Sequence, residues 1–548
     1  MKLGVVFLAV VVACQAIPAR AGAPDVWAIT GARIVPVSGP PIEKGTVVIR
    51  DGLIESVGPA VAAPADARTI DGTGLTVYPG LIDSFTFVEA DQQAQGPGPE
   101  GGRRGGGPPQ GGARAPDRDN PSGVTPEREA LPLVKPDGRI ESFRNAGITT
   151  VLAVPKGGIF RGQSALVDTA GASAQAMSVK TPVAQHVSFE TGGGFNDYPG
   201  SLMGVIAVIR QKFLDGQHYK QEWQRYSATP KGYRRPAPSE SLAAVVPALD
   251  RTVPVVIEAN DDAMIRRALK IVSEFKLKAM IAGGLEAWKA ADALKTAGVP
   301  VLLSLNYPER PGDMDPETTE PLRVVQARMD APGGAAKLQK AGVRFAFQVG
   351  GLKDPKQFVG NAIKAVGSGL SKDDALRAMT LTSAELLGVS DQLGSIEAGK
   401  IANLVVTDGD LFEAKTKIKY VFVDGARFEM KVEAAPKPGE AAKVDVSGTW
   451  NLTVVTPGGN QDVTLTLTQS GTSFTGSMAN AMFGTTDVKE GTVSGNKVSF
   501  SATVSVGGTS IDTTFNGTVE GDSMSGTVAV SGQGTVEFTG KRPRGAVR

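Results

Sequence analysis

Two histidines, His186 and His218, and one cysteine, Cys14, are the chain's whole stock of its most versatile catalytic and metal-binding side chains. Imidazole is the common zinc ligand and the common general base near neutral pH, so this scarcity limits the chemistry available. His186 lies in Gln185-His186-Val187-Ser188-Phe189-Glu190, near an expected strand end. It is either a site group or a histidine satisfied by a backbone carbonyl. His218 lies in Gln217-His218-Tyr219-Lys220, on a polar helix, and reads as exposed. No Ser-His-Asp or Cys-His arrangement can be assembled. Thr191-Gly192-Gly193-Gly194 lacks the following Lys-Ser/Thr of a phosphate loop and reads as a turn.

Length and composition bound the rest. A chain of 548 residues is long enough for about three domains. Lys and Arg number 57 against 56 Asp and Glu, a net charge of +1. That balance argues against nucleic acid or an anionic membrane surface as the main partner. Residues 1–21 read as an export signal: Lys2 is followed by apolar Leu3 to Ala13, then Ala19-Arg20-Ala21 as a cleavage site before Gly22. The expected location is periplasmic or extracellular. Val11-Val12-Ala13-Cys14 also reads as a lipidation site, and a lipid on Cys14 would be the one route to a membrane. No later segment is long and apolar enough to span a bilayer.

These residues must be carried by elements that the pattern outlines. Ala28 to Val37 and Gly45 to Val57 are Val/Ile-rich strands, with a hairpin turn at Asp51-Gly52. Residues 91–120 form a Gly/Pro/Gln/Arg insert that cannot bury apolar surface and reads as disordered. Strands then alternate with helices, with Ile148 to Val154, Pro182 to Phe189, Val253 to Ala259, Lys278 to Ala282, Val299 to Leu305 and Arg344 to Val349 as the strands. Apolar, non-alternating strands between helices imply a parallel sheet covered by helices, and the span suits a (β/α)8 TIM-type barrel. Residues 432–445 read as a linker. Residues 446–548 are dense in Thr, Ser, Val and Gly, with short alternating strands, and read as an up-and-down antiparallel barrel or sandwich.

Tyr78-Pro79-Gly80-Leu81-Ile82-Asp83 resembles the first barrel strand of the amidohydrolase superfamily, in its imidazolonepropionase-like and dihydroorotase-like branches. Ala375 to Thr380, Ser383 to Gly388 and Gly394 to Val406 resemble later family motifs, with Asn403 where Asp is usual. The resemblance covers about residues 27–430. It implies a barrel over residues 78–387 and a small β-sandwich unit made of both flanks, 22–77 and 388–431. It also implies a hydrolase of C–N bonds in which zinc or a similar ion, held by imidazoles and carboxylates, makes hydroxide from water.

The ligand positions that the resemblance implies are substituted. The His-x-His pair after Asp83 maps to Ser84-Phe85-Thr86, so Ser84 and Thr86 stand for ligands; Glu258, Gly283 and Gly350 stand for the others. Hydroxyls bind a metal far more weakly than imidazole, glycine offers no side chain, and one carboxylate does not close a zinc site. No cofactor is therefore expected. His186 is a further candidate at the barrel mouth. Three readings stay open: a pseudoenzyme that binds a small molecule at the mouth, self-associates or pairs with an active homologue; a divergent hydrolase using Asp83 and Glu258 as acid and base; and a binding protein acting through its C-terminal β domain.

Overall fold

A computed structural model describes residues 26–88, 121, 123–191, 198–310, 318–352, 354–430, 444–456, 459–480, 484–506, 509–530 and 534–542. The export signal with Cys14, the insert 91–120 and most of the linker lie outside the described residues. No helix among the described residues is long and apolar enough to cross a membrane.

The strands, in chain order, begin with β1 (Val26–Ile34), β2 (Ile42–Arg50), β3 (Leu53–Gly58), β4 (Arg68–Asp71) and β5 (Thr76–Pro79). Then come β6 (Leu81–Phe87), β7 (Ile148–Val154), β8 (Phe160–Gln163), β9 (Ala165–Asp168), β10 (Ser178–Lys180) and β11 (Gln185–Ser188). They are followed by β12 (Val255–Ala259), β13 (Ala279–Gly283), β14 (Val301–Ser304), β15 (Phe345–Gln348), β16 (Leu404–Thr407), β17 (Ile418–Val423) and β18 (Ala426–Glu429). The tail supplies β19 (Gly448–Thr456), β20 (Gly459–Ser470), β21 (Ser473–Asn480), β22 (Gly484–Ser494), β23 (Lys497–Val506), β24 (Thr509–Glu520), β25 (Ser523–Val530) and β26 (Gly534–Lys541).

One sheet joins the two flanks of the central region, in the order β18-β17-β16-β5-β1-β2-β3, with β4 on β1. Leu404 pairs with Pro79 and Thr407 with Thr76, so the returning strands lie against the strand that leads into the centre. The run Tyr78 to Thr86, an apolar strand pattern broken by Pro79-Gly80, is divided at that break between β5 and β6. The corner between them is Gly80, where a Cβ would stand 2.1 Å from Thr149 Oγ1.

The central strands form two sheets, β10-β9-β7-β6 and β15-β14-β13-β12-β11-β8. Only Ser164 separates β8 from β9, so the segment Phe160–Asp168 joins the sheets. At the other side Gly350 N donates to Phe85 O at 3.1 Å, which brings the end of β15 beside β6. The strands thus curve around one interior. Ile82, Leu152, Leu166, Val256, Met280, Leu302 and Ala346 pack inside it, while the alternate residues Val151, Val255, Ile257, Ile281 and Val301 pack in the layer that includes the helices.

The helix Asp262–Phe275 shows the local logic. Asp261 caps it by accepting from Met264 N, and Ile265, Ala268, Ile271, Val272 and Phe275 recur on one face and are buried.

The central strands are not all parallel. β8 runs antiparallel to β11, and β9 antiparallel to β7. Only residues 155–159 separate β7 from β8, too few for the crossover that a parallel neighbour needs.

The tail is a closed barrel of β19 to β26, each strand antiparallel to the next and β26 paired back to β19. It is not a sandwich. Trp450, Phe474, Phe500, Phe515 and Phe538 fill its interior, with Phe500 stacked on Phe515 at 4.5 Å. Trp450 Nε1 donates to Val446 O, and Arg542 lies 4.6 Å over the indole.

The barrel is also a repeat. β20, β21 and β22 begin at 459, 473 and 484, and β24, β25 and β26 begin at 509, 523 and 534, a constant shift of 50. The pairing repeats with it: Trp450 faces Leu465 as Phe500 faces Phe515, and Thr464 faces Ala479 as Thr514 faces Ala529.

Candidate functional site

The interior of the central ring gathers charged groups from several strands at one place. Arg161 comes from β8, Glu258 from β12, Glu190 from just past β11, and Phe87 from the end of β6. Arg161 reaches Glu258 across β11, and it reaches Phe87, which lies on the far side of β7. A side chain that touches strands on both sides must cross the interior. His186, on β11, also reaches across: its ring lies 5.5 Å from that of Phe85 on β6.

Arg161 is 1% exposed. Its Nη2 donates to Glu258 Oε2 at 3.1 Å and lies 3.0 Å from Glu190 Oε1. Its Nε faces Glu258 Oε1 at 2.5 Å, a charge contact off the N–H axis rather than a hydrogen bond. The guanidinium also sits over Phe87, 4.9 Å from the ring centroid. Two carboxylates and an aromatic face are what a buried guanidinium needs in exchange for lost water. The Glu258 side chain is 22% exposed and that of Glu190 60%, so solvent reaches part of each glutamate side chain, though not Glu258 Oε1, while the cation is covered.

Burial lifts the Glu258 carboxyl to about 7; Arg161 pulls it down and Glu190 pushes it up. Burial drops the His186 imidazole to about 3, and the Arg161 charge lowers it further in the same direction. His186 is therefore neutral, and neither ring nitrogen has a hydrogen-bond partner among the described residues.

Asp83 has a different position and a different task. It pairs with Val151, whose side chain packs in the outer layer. Its Oδ1 accepts from Phe85 N at 3.1 Å and from Val349 N at 2.8 Å. The first bond turns the backbone locally, at the register shift in β6 between Asp83 and Thr86, and the second ties β6 to the end of β15. Oδ2 is buried with no partner among the described residues, and burial lifts the carboxyl to about 7 against the two N–H groups. Asp83 and Glu258 thus lie on opposite faces of the ring wall, which separates the acid and base of the paired-carboxylate reading.

The same register shift corrects the ligand positions read from sequence. Phe85 belongs to the interior cluster and Phe87 packs against it, while Thr86 pairs with Ala153 of the outer layer. Ser84 Oγ donates to Phe347 O at 2.7 Å. The side chains that follow Asp83 into the interior are therefore Phe85 and Phe87, not Ser84 and Thr86. At Gly283 a Cβ would lie 2.3 Å from Asn260 Oδ1, and at Gly350 one would lie 2.7 Å from Gln348 Oε1, so neither place has room for a longer side chain as it stands. His218 is exposed, 3.7 Å from Glu222.

Sequence reading passed over Arg161, Glu190, Phe85 and Phe87. A signal existed for Arg161, an arginine in the apolar context Gly158-Ile159-Phe160. The partner that explains it lies 97 positions away.

A divalent ion of the kind the sequence resemblance implies needs several donors around one point. Among the described residues no three His, Cys, Asp or Glu side chains gather in that way. The interior carboxylate, Glu258, is already engaged by a fixed positive charge. The described residues around Glu258 do not fit a metal.

Comparison with known proteins bears on the fold. The profile of the amidohydrolase family matches residues 336–428, from the last helices through the returning strands, a stretch that includes Asn403 but not Arg161. An amidohydrolase from Thermotoga maritima MSB8 is similar at 26% identity and a TM-score of 0.59, over 73% of this chain and 99% of that one. A prolidase complexed with N-methylphosphonate-L-proline is similar at 18% identity and a TM-score of 0.45, over 74% and 99%. Phenylurea hydrolase B is similar at 15% identity and a TM-score of 0.46, over 74% and 97%. No curated protein matches the chain.

Proposed function

Because the chain belongs to the amidohydrolase superfamily, we propose that it is a non-hydrolytic member, in which a (β/α)8-type barrel with one reversed segment persists as a scaffold for binding. The observation that supports this reading is the contact of Arg161 with Glu258. In a metal-dependent hydrolase a carboxylate at this place would help hold an ion that activates water. Here the carboxylate faces a guanidinium, which provides no open coordination position and cannot deliver hydroxide.

What remains accessible is a rim. The Glu258 and Glu190 side chains are partly exposed, and Phe87 is half-buried beside them. These groups suit a small ligand with hydrogen-bond donors and an apolar face, held at the mouth without being cut. The tail barrel is filled by its own aromatic side chains, which leaves the mouth of the central ring as the better place for a ligand.

Hydrolysis of cyclic amides and N-acyl amino acids by the purified full chain, with and without Zn²⁺, Mn²⁺ or Co²⁺, tests this. The expected result is turnover no faster than the uncatalysed reaction in every condition. Metal-stimulated turnover that Glu258→Gln abolishes would overturn the reading.

A further inference from the structure

We propose that the mouth of the central ring is a site for one planar, monovalent organic cation, and that the chain fills it with its own Arg161. The inference rests on the non-hydrolytic reading of this site and goes beyond it by naming what occupies the centre, which leaves the rim outside Arg161 for any external ligand.

The surroundings of Arg161 have the shape of a planar cation. Glu258 meets the guanidinium along one edge, with Oε1 against Nε and Oε2 against Nη2. Glu190 meets Nη2 from another side at 3.0 Å. Phe87 covers a face at 4.9 Å. Carboxylates around the plane and a ring over the face match the fork and the flat π surface of a guanidinium. A spherical divalent ion calls instead for several donors at roughly 2.0–2.6 Å on all sides, and the face closed by Phe87 has none to give.

Charge points the same way. Two carboxylates surround one cation, so the group is balanced by a single positive charge when one carboxyl holds a proton. His186, the nearest further titratable side chain on β11, is buried and neutral and adds no second charge. Arg161 is the extra residue at the register shift in β8, between Phe160, paired with Val187, and Gly162, paired with His186, so the filling of the site is built into the strand pairing rather than into a loose surface contact.

An occupant that is chemically a ligand can be removed and replaced. In full-chain Arg161→Ala the thermal midpoint should fall by several degrees. Millimolar ethylguanidinium should recover at least half of the loss, with saturation; methylammonium should recover less, and the wild type should not respond. The recovery should vanish in the double variant Arg161→Ala/Glu258→Gln. Absence of guanidinium-selective recovery, or a larger recovery with Zn²⁺ or Mn²⁺, overturns the proposal. If Arg161→Ala does not fold, the wild type decides: elemental analysis after dialysis against Zn²⁺ should find no stoichiometric metal, and stoichiometric metal that is lost in Glu258→Gln overturns the proposal. Hydrolysis by the wild type would defeat the non-hydrolytic reading alone, and failed recovery without hydrolysis would defeat the cation site alone.

Discussion

Asn403 Nδ2 donates to Asp168 Oδ1 at 2.8 Å, joining residues 235 positions apart in the chain. Thr150 Oγ1 donates to the same oxygen, and Asn403 Oδ1 accepts from Asp424 N. Burial lifts Asp168 to about 7, against the two donors. Asn403 stands where the family motif usually has an aspartate. Here an aspartate would set a second carboxyl against Asp168 and remove a donor.

Asn403→Asp should therefore destabilise the protein by about 2–4 kcal/mol, measured by urea unfolding at pH 7.5, and by less at pH 5 where the buried carboxyls hold protons. Adding Asp168→Asn should return most of the loss. Two additive losses instead would show that the pair does not interact in this way.

Asp83 gives a pH-dependent expectation. Its folded value is about 7 against an ordinary 3.8, so between those values the folded chain keeps a proton that the unfolded chain gives up. Its contribution to stability is present below about 4 and is lost as pH rises toward 7. Asparagine resembles the protonated acid and can still accept from Phe85 and Val349. The stability of Asp83→Asn relative to the wild type should therefore rise with pH, at up to about 1.4 kcal/mol per unit between pH 4.5 and 7. Parallel pH profiles for the two proteins would refute it.

The tail barrel offers a paired test. At Gly476 an added Cβ would lie 2.0 Å from Thr466 O, and at Gly526 it would lie 2.0 Å from Asn516 O, the positions related by the shift of 50. Backbone cannot yield as a flexible side chain does. Gly476→Ala and Gly526→Ala should each weaken the barrel by about 2–3 kcal/mol, read by hydrogen exchange of barrel amides, and by similar amounts. A large loss at one site with none at the other would deny the equivalence of the halves.

The motif at Tyr78 to Asp83, the motifs from Ala375 to Val406 and the alternation of the tail were legible because each is local. The amidohydrolase resemblance and the closed C-terminal β barrel follow from them. The site was less legible because its geometry is not local. Strict alternation from Asp83 points Ser84 and Thr86 the wrong way, and only the turn that Asp83 Oδ1 imposes on Phe85 corrects it. Strand direction and register shifts are likewise invisible in a short apolar run, so neither the reversed β8 nor the inward Arg161 at its register shift could be read from Phe160 to Gln163. The repeat was present in the letters, but Trp450 and Phe500, or Leu465 and Phe515, match in role and not in identity.

A bound ion is an equilibrium: chelators strip it, acid releases it, and its supply varies with the surroundings. The positive group beside Glu258 is joined to the main chain by covalent bonds. It is inherited with the gene, arrives in strict one-to-one ratio with every molecule made, and leaves the mouth only when the fold itself opens or the codon changes.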